Sequence, residues 1–268
     1  YKCKKLILSC GTISTTNLIL KYKKYLNKKI KINKWNVESK LAEYENANLI
    51  LVPSTFVKKT FENYSFTNIK TLELGSSVSN FYPLKEIKKS EVFFDILFIG
   101  QISLRKGLHY LIDAFNKFKH PKKRLHIVGS QTENKDFFYN KLKNENIRLY
   151  GQIKHEKLND IINKCHVNVI PSIEDGFGLV ATEAAAAGCP SIASENTGAL
   201  DFIIRNKCGL SVPIRDSDSL VEKLQLLADD KVLLKQLSFN ARNFSKENSW
   251  ESYVSKLNEL ILDYKNKN

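Results

Sequence analysis

The stretch PSIEDGFGLVATEAAAAGCP occupies residues 171–190. An apolar run, Val167–Ile170, ends just before it. A turn follows that holds two carboxylates, Glu174 and Asp175, and two glycines, Gly176 and Gly178. A helix of small residues then begins over 179–187. Glycines let a ligand approach the backbone closely. The unpaired N–H groups of a helix start bind anions, and the helix dipole assists them. Asp175 and Glu183 flank that start, and ionised carboxylates accept hydrogen bonds from hydroxyls. The pattern suits a ligand with both a phosphate and the hydroxyls of a ribose or a hexose. An ordinary strand–turn–helix with solvated acids leaves the placing of those acids unexplained.

Working toward the N-terminus, the same strand–helix rhythm repeats. Apolar runs at 95–99, 124–128, 147–150 and 190–193 read as strands. The first three end in Gly100, Gly129 and Gly151. Helical periods lie between them at 108–115, 137–142, 158–162 and 200–204. Such alternation predicts right-handed βαβ units and a parallel sheet, which binds ligands at the carboxyl ends of its strands. Helices at 219–227 and 250–264 close the chain. In GQISLRKGLHYLIDAF, residues 100–115, Arg105 and Lys106 precede Gly107 at a helix start. Two cations there can neutralise a leaving diphosphate without a metal. A basic helix start is common by itself, and the acidic loop at the opposite sheet position strengthens the reading.

Residues 6–8, 49–52 and 71–74 read as strands, 17–31 and 37–46 as helices, and the Pro-bearing stretch 81–90 as a linker. The net charge of +14 is uneven: residues 1–90 hold 17 basic and 6 acidic residues, against 25 and 22 in 91–268. A polyanion or anionic surface would be met by the N-terminal third. There, LILKYKKYLNKKIKINKW (residues 18–35) sets seven lysines among Leu18, Tyr22, Leu26 and Ile30. This basic amphipathic pattern suits an anionic membrane or a lipid-diphosphate acceptor, and equally a surface helix with solvated lysines. No zinc finger, helix-turn-helix or RNA-binding aromatic motif supports nucleic-acid binding.

The five cysteines are odd in number and contain no Cys-x-x-Cys. They read as small buried hydrophobes of a reducing compartment, so a cytoplasmic protein, peripheral at the membrane if residues 18–35 engage it. The histidines lack metal-ligand spacing, so each reads as structural or solvated. No Asp-x-Asp occurs, which argues against a Mg²⁺-dependent sugar transferase. No cofactor or metal is expected.

FIGQISLRKGLHYLIDAF, LHIVGS, LYGQI and PSIEDGFGLVATEAAAAGCPSIAS, in this order, resemble family 4 of the retaining glycosyltransferases. The resemblance runs from about Leu41 to Trp250. It implies an α/β chain of GT-B type, with a complete C-terminal Rossmann-like domain and a partial N-terminal one. The implied divisions are 1–86 (acceptor side), 87–248 (nucleotide-sugar binding) and 249–268 (a helix crossing back to the first domain). The family's paired acids, seven residues apart, fall on Asp175 and Glu183: the first meets the transferred sugar, the second the nucleotide ribose. The amides of Phe177, Gly178 and Leu179 would face sugar and phosphates. Lys106 matches the phosphate-binding lysine, and Gly151–Ile153 the loop that grips the base. Ser54 and Gly75 match positions lining the interdomain cleft.

The chain departs from the family twice. The first acid is Asp175 instead of Glu, with Glu174 just before it. Gln101 stands where an Arg is usual, and Arg105 is the cation able to replace it. The first βαβ units of the acceptor domain are not found before residue 41, and Tyr1 in a chain without Met is no initiator, so a truncated chain is expected. The implied activity is retaining, metal-independent transfer from an NDP-sugar to a glycan or lipid-linked acceptor. The alternative is a nucleotide-sugar-binding module without turnover.

Overall fold

The computed structural model describes residues 6–8, 41–76, 79–131, 135–245 and 249–267. The chain divides into two compact units, Tyr1–Glu73 and Leu74–Asn268. The first holds a parallel sheet in the order β1 (Leu6–Leu8), β2 (Leu49–Val52), β3 (Ile69–Thr71). Residues 41–45 are helical, and the stretches 17–31 and 18–35 lie outside the described residues. A helix not foreseen, α1 (Thr55–Glu62), follows β2. Ser54 starts it: the buried hydroxyl accepts from the Val57 amide at 3.2 Å, an ordinary helix cap. Val57 and Phe61 pack on Ile50, Val52 and Ile69, and Tyr44 meets the Phe61 ring edge-on.

The second unit carries β4 (Phe94–Ile99), β5 (Lys123–Val128), β6 (Ile147–Gly151), β7 (Val167–Ile170), β8 (Ser191–Ser194) and β9 (Gly209–Val212). All are parallel, in the order β6-β5-β4-β7-β8-β9. The helices between them are α2 (Leu108–Lys117), α3 (Lys135–Lys141), α4 (His155–Lys164), α5 (Leu179–Ala186) and α6 (Ala199–Arg205). Three more close the unit: α7 (Ser217–Asp229), α8 (Lys231–Ser245) and α9 (Trp250–Lys267). Successive strands step outward from β4 on one side and from β7 on the other. The order therefore reverses between β4 and β7, and that reversal leaves a crevice at the strands' carboxyl ends.

The alanines of α5 explain its lack of amphipathic period. Ala184, Ala186 and Ala187 pack with Leu97, Leu158 and Ile162, while Ala181 and Ala185 pack with Ile170, Phe202 and Ile203. A helix apolar on all sides is a buried helix. Small side chains let it lie close to the sheet, so the turn at its start is held firmly.

The stretch expected as a linker is bound into the second unit. Phe81 is buried among Leu158, Ile161 and Ile162. The Tyr82 amide donates to Asn159 Oδ1 at 3.1 Å, and the Leu84 amide to Asn163 Oδ1 at 2.9 Å. Two helix-borne asparagines thus replace the ladder partners that an extended strand lacks. Gly75 lies so close to Trp250 that a Cβ there would meet the Trp250 Cα at 2.6 Å, and Ser76 bridges Ser249. Cys165, Cys189 and Cys208 are free and buried, and burial pushes the Cys189 thiol up to about 11. Cys3 and Cys10 lie outside the described residues. No described helix is long and apolar enough to cross a membrane.

Candidate functional site

Two loops leave the strands on either side of the reversal. One runs from β4 through Gly100 to Gly107, the other from β7 through Pro171 to Gly178. They are neighbours in the sheet, not opposed across it, because β4 and β7 pair directly. Gly107 has φ 69°, and a Cβ there would meet the Pro171 carbonyl oxygen at 1.8 Å. Only glycine permits both that backbone and that approach. Across the contact, the Ile173 amide donates to the Arg105 carbonyl at 2.9 Å. Arg105 Nη1 returns a bond of 3.0 Å to the Glu174 carbonyl.

This close approach brings Lys106 Nζ to 2.5 Å from Asp175 Oδ2. Both side chains are mostly buried, at 19% and 15% exposure, so solvent screens the pair only in part. The Asp175 backbone is fixed independently. Its amide donates to the Asn196 carbonyl and its carbonyl accepts from the Gly198 amide, each at 3.0 Å. Gly100 is near Lys106 as well: a Cβ on it would stand 3.9 Å from Lys106 Cδ.

Both helices at the crevice start on a left-handed glycine with no side-chain cap: Gly107 for α2 and Gly178 (φ 76°) for α5. The Tyr110 and Ala181 amides bond back to the carbonyls of those glycines at 2.9 Å, which leaves the earlier amides, Leu108 and His109 in α2 and Leu179 and Val180 in α5, without an intrahelical acceptor, so the crevice is lined by N–H groups and a cation. Gly176 is half-buried beside Asp175, the Phe177 ring is buried, and Leu179 is exposed at the helix start. Glu174, the second acid of the turn, is buried at 7% exposure.

Glu183 sits on α5 about 7 Å along the axis from Gly178. Burial pushes its carboxyl up, and the charge of nearby His155 partly opposes the rise. His155 opens α4 just after the loop Gly151–Ile153. Glu183, midway along α5, is thus near enough to the start of α4 for His155 to act on it. Gly151 is exposed with φ 65° and nothing within 4 Å of its Cβ position, while Ile153 packs on the core behind it. His155 was not singled out by the sequence, because its link to Glu183 exists only through the sheet order. Among the described residues, no three His, Cys, Asp or Glu side chains form a group able to hold a metal ion.

The rim therefore combines a paired lysine, two uncapped helix starts and a partly buried carboxylate around the reversal of a parallel α/β sheet. The family model described as Glycosyl transferases group 1 matches residues 84–244, more than half of the chain, and the chain belongs to that family. The capsular polysaccharide biosynthesis glycosyltransferase CapM of Staphylococcus aureus is 32% identical over 189 residues, 65% of this chain and 48% of CapM. A glycogen synthase of Mycobacterium tuberculosis is 27% identical over 175 residues, 63% of this chain and 42% of that protein. The matched stretch is thus less than half the length of either relative. The fold is of GT-B type. Anabaena Alr3699/HepE, solved with UDP and glucose, matches with TM-score 0.81 at 14% identity, over 98% of this chain and 72% of that one. At that identity the likeness concerns the fold alone.

Proposed function

We propose that the chain carries the donor site of a retaining, metal-independent glycosyltransferase that moves a sugar from an NDP-sugar to a glycan or lipid-linked acceptor. The observation that carries this is Lys106 meeting Asp175 across the β4–β7 reversal, beside the uncapped starts of α2 and α5. A diphosphate lies between Lys106, Arg105 and the α5 amides, where fixed dipoles and cations offset its charge. Asp175, freed from Lys106, accepts from sugar hydroxyls. Glu183 accepts from the ribose, and the open backbone at Gly151–Ile153 receives the base.

In the transfer, the bond from the anomeric carbon to the diphosphate oxygen breaks and the leaving group keeps the electron pair. The acceptor oxygen bonds to the same face of that carbon, and its proton passes to the departing phosphate oxygen. Lys106 and Arg105 supply the positive charge that a metal supplies elsewhere. CapM and the glycogen synthase make or elongate polysaccharides by name, which supports a glycan acceptor.

The test is calorimetric titration with UDP, GDP and their sugar conjugates, without divalent metal, on the wild type and Glu183→Ala. Metal-free binding lost in the variant is expected, and the tighter nucleotide names the base. A folded protein that binds none of them overturns the reading. Binding without any product from glycan or lipid-linked acceptors favours a nucleotide-sugar-binding module.

A further inference from the structure

β5 and β6 do not pair evenly to the rim. Ile127 faces Leu149 but Val128 faces Gly151, so Tyr150 has no opposite residue in the ladder. An extra residue of this kind bends a strand and re-aims the residues after it, and such features concentrate beside functional sites. Immediately after Tyr150 come Gly151, in a left-handed conformation, and the open loop to Ile153.

Tyr150 is held from below by a polar chain inside the domain. Its hydroxyl lies 2.8 Å from His126 Nδ1, and the two rings stack. His126 Nε2 lies 2.8 Å from Asp95 Oδ1. Asp95 in turn takes two bonds from Arg124, at 2.6 and 2.8 Å. Asp95 and His126 are buried. The Arg124 and His126 contacts outweigh the effect of burial and hold the Asp95 carboxyl below its usual range, so it only accepts. His126 therefore presents an N–H to Asp95 through Nε2, and its Nδ1 shares a hydrogen bond with the Tyr150 hydroxyl. Burial pushes the Tyr150 phenol up, which keeps that proton in place, and the Arg148 guanidinium lies against the same oxygen. Two buried polar groups, Asp95 and His126, linked to the half-buried Arg124 and Tyr150, need a reason beyond packing.

We propose that Arg124, Asp95, His126 and Tyr150 are positioning residues for the base-side loop: they pin the unpaired Tyr150 and so set the backbone of Gly151–Ile153 against the donor. None of them touches the donor. The proposal rests on the donor-site reading for its ligand, and on the strand irregularity for its mechanism.

Tyr150→Phe removes one oxygen and keeps the ring. The affinity of the preferred nucleoside diphosphate should fall about five- to tenfold, as for one lost buried hydrogen bond transmitted to the loop. The affinity of inorganic pyrophosphate, which meets only the Lys106 side, should stay unchanged. Hydrogen exchange should quicken at the Gly129 amide, which donates to the Gly151 carbonyl at 2.8 Å, and across residues 147–153. Tyr139→Phe, which removes an exposed hydroxyl, should alter none of these. Asp95→Asn serves as a second variant if Tyr150→Phe does not fold. Unchanged exchange in a folded variant overturns the proposal, and so do equal losses for nucleotide and pyrophosphate, which indicate general loosening. If the wild type binds no nucleotide, the donor-site reading fails by itself, and the exchange result alone decides whether the network holds the loop.

Discussion

Lys106 and Asp175 satisfy each other at 2.5 Å, so an incoming diphosphate has to part them. The two partners should then respond oppositely. Lys106→Ala removes the charge that meets the phosphates, and UDP or GDP affinity should fall about 10- to 100-fold by calorimetry, in line with a charge-assisted bond. Asp175→Asn removes the competitor, so affinity for the bare nucleotide should rise about two- to fivefold while sugar transfer drops. Equal losses in both variants would mean that the pair is structural. Glu183 carries a different signature. Burial raises its carboxyl above the ordinary 4.5, so the folded chain holds that proton more tightly than the unfolded chain. Its favourable contribution is full below 4.5 and is lost as pH rises through the raised value. Glu183→Gln should therefore raise the melting temperature more at about pH 8 than at about pH 4, while abolishing nucleotide binding. A site acid that lowers stability fits a functional role better than a packing one. The sequence shows Lys106, Asp175, Gly178 and Glu183 because each sits at a fixed offset within one strand–turn–helix. It does not show the Lys106–Asp175 approach, which joins residues far apart in the chain through the β4–β7 pairing, or the effect of His155 on Glu183, which arises between two separate helices.

Among the elements, the alternating strands from β4 to β8 are legible because β4 to β7 are short apolar runs closed by Gly or Pro and β8 opens after Pro190. The misses have local causes. β9 has only its two ends buried and lies at the sheet edge, so its apolar pattern is thin. Among its described side chains α8 buries Leu237 and Ala241 alone, too little for a visible stripe. It is also separated from α7 by Asp230 alone. The Asp230 amide closes α7 on the Leu226 carbonyl, while its side chain accepts from the Leu233 amide at 2.8 Å to open α8. A single residue ends one helix and caps the next, and no gap marks the boundary. α1 is short and its cap, Ser54, resembles a loop residue after Pro53. At the start of α7, Asp216 accepts from the Ser219 amide at 2.9 Å. Asp216→Ala should cost about 1 kcal/mol and lower the melting temperature by about 2–4 °C in a calorimetric scan. Nucleotide affinity should not change, since the first turn of α7 pairs with Lys117 at 2.7 Å, at the end of α2 opposite Gly107.

For the whole molecule, charge is the property that the donor site leaves unexplained. The chain carries +14, yet residues 91–268, with most of the proposed donor-binding machinery, account for 25 basic against 22 acidic residues. A diphosphate needs two or three local cations, not a field of this size, so the surplus at residues 1–90 answers to something larger. Residues 18–35 place seven lysines beside apolar positions at helical spacing, which suits the anionic face of a bilayer better than a neutral glycan. The chain should therefore sediment with phosphatidylglycerol vesicles and not with phosphatidylcholine vesicles. Binding should weaken steeply between about 50 and 300 mM salt, as the screening length falls toward the lysine spacing. Replacing Lys21, Lys23, Lys24, Lys28 and Lys29 by Gln should abolish sedimentation and leave UDP or GDP affinity intact, because the proposed donor contacts lie within residues 100–183. Retained sedimentation in that variant would place the contact elsewhere. No sedimentation by the wild type would leave solvated lysines on a surface helix as the reading of residues 18–35, and the acceptor would then be sought among soluble glycans before lipid-linked ones.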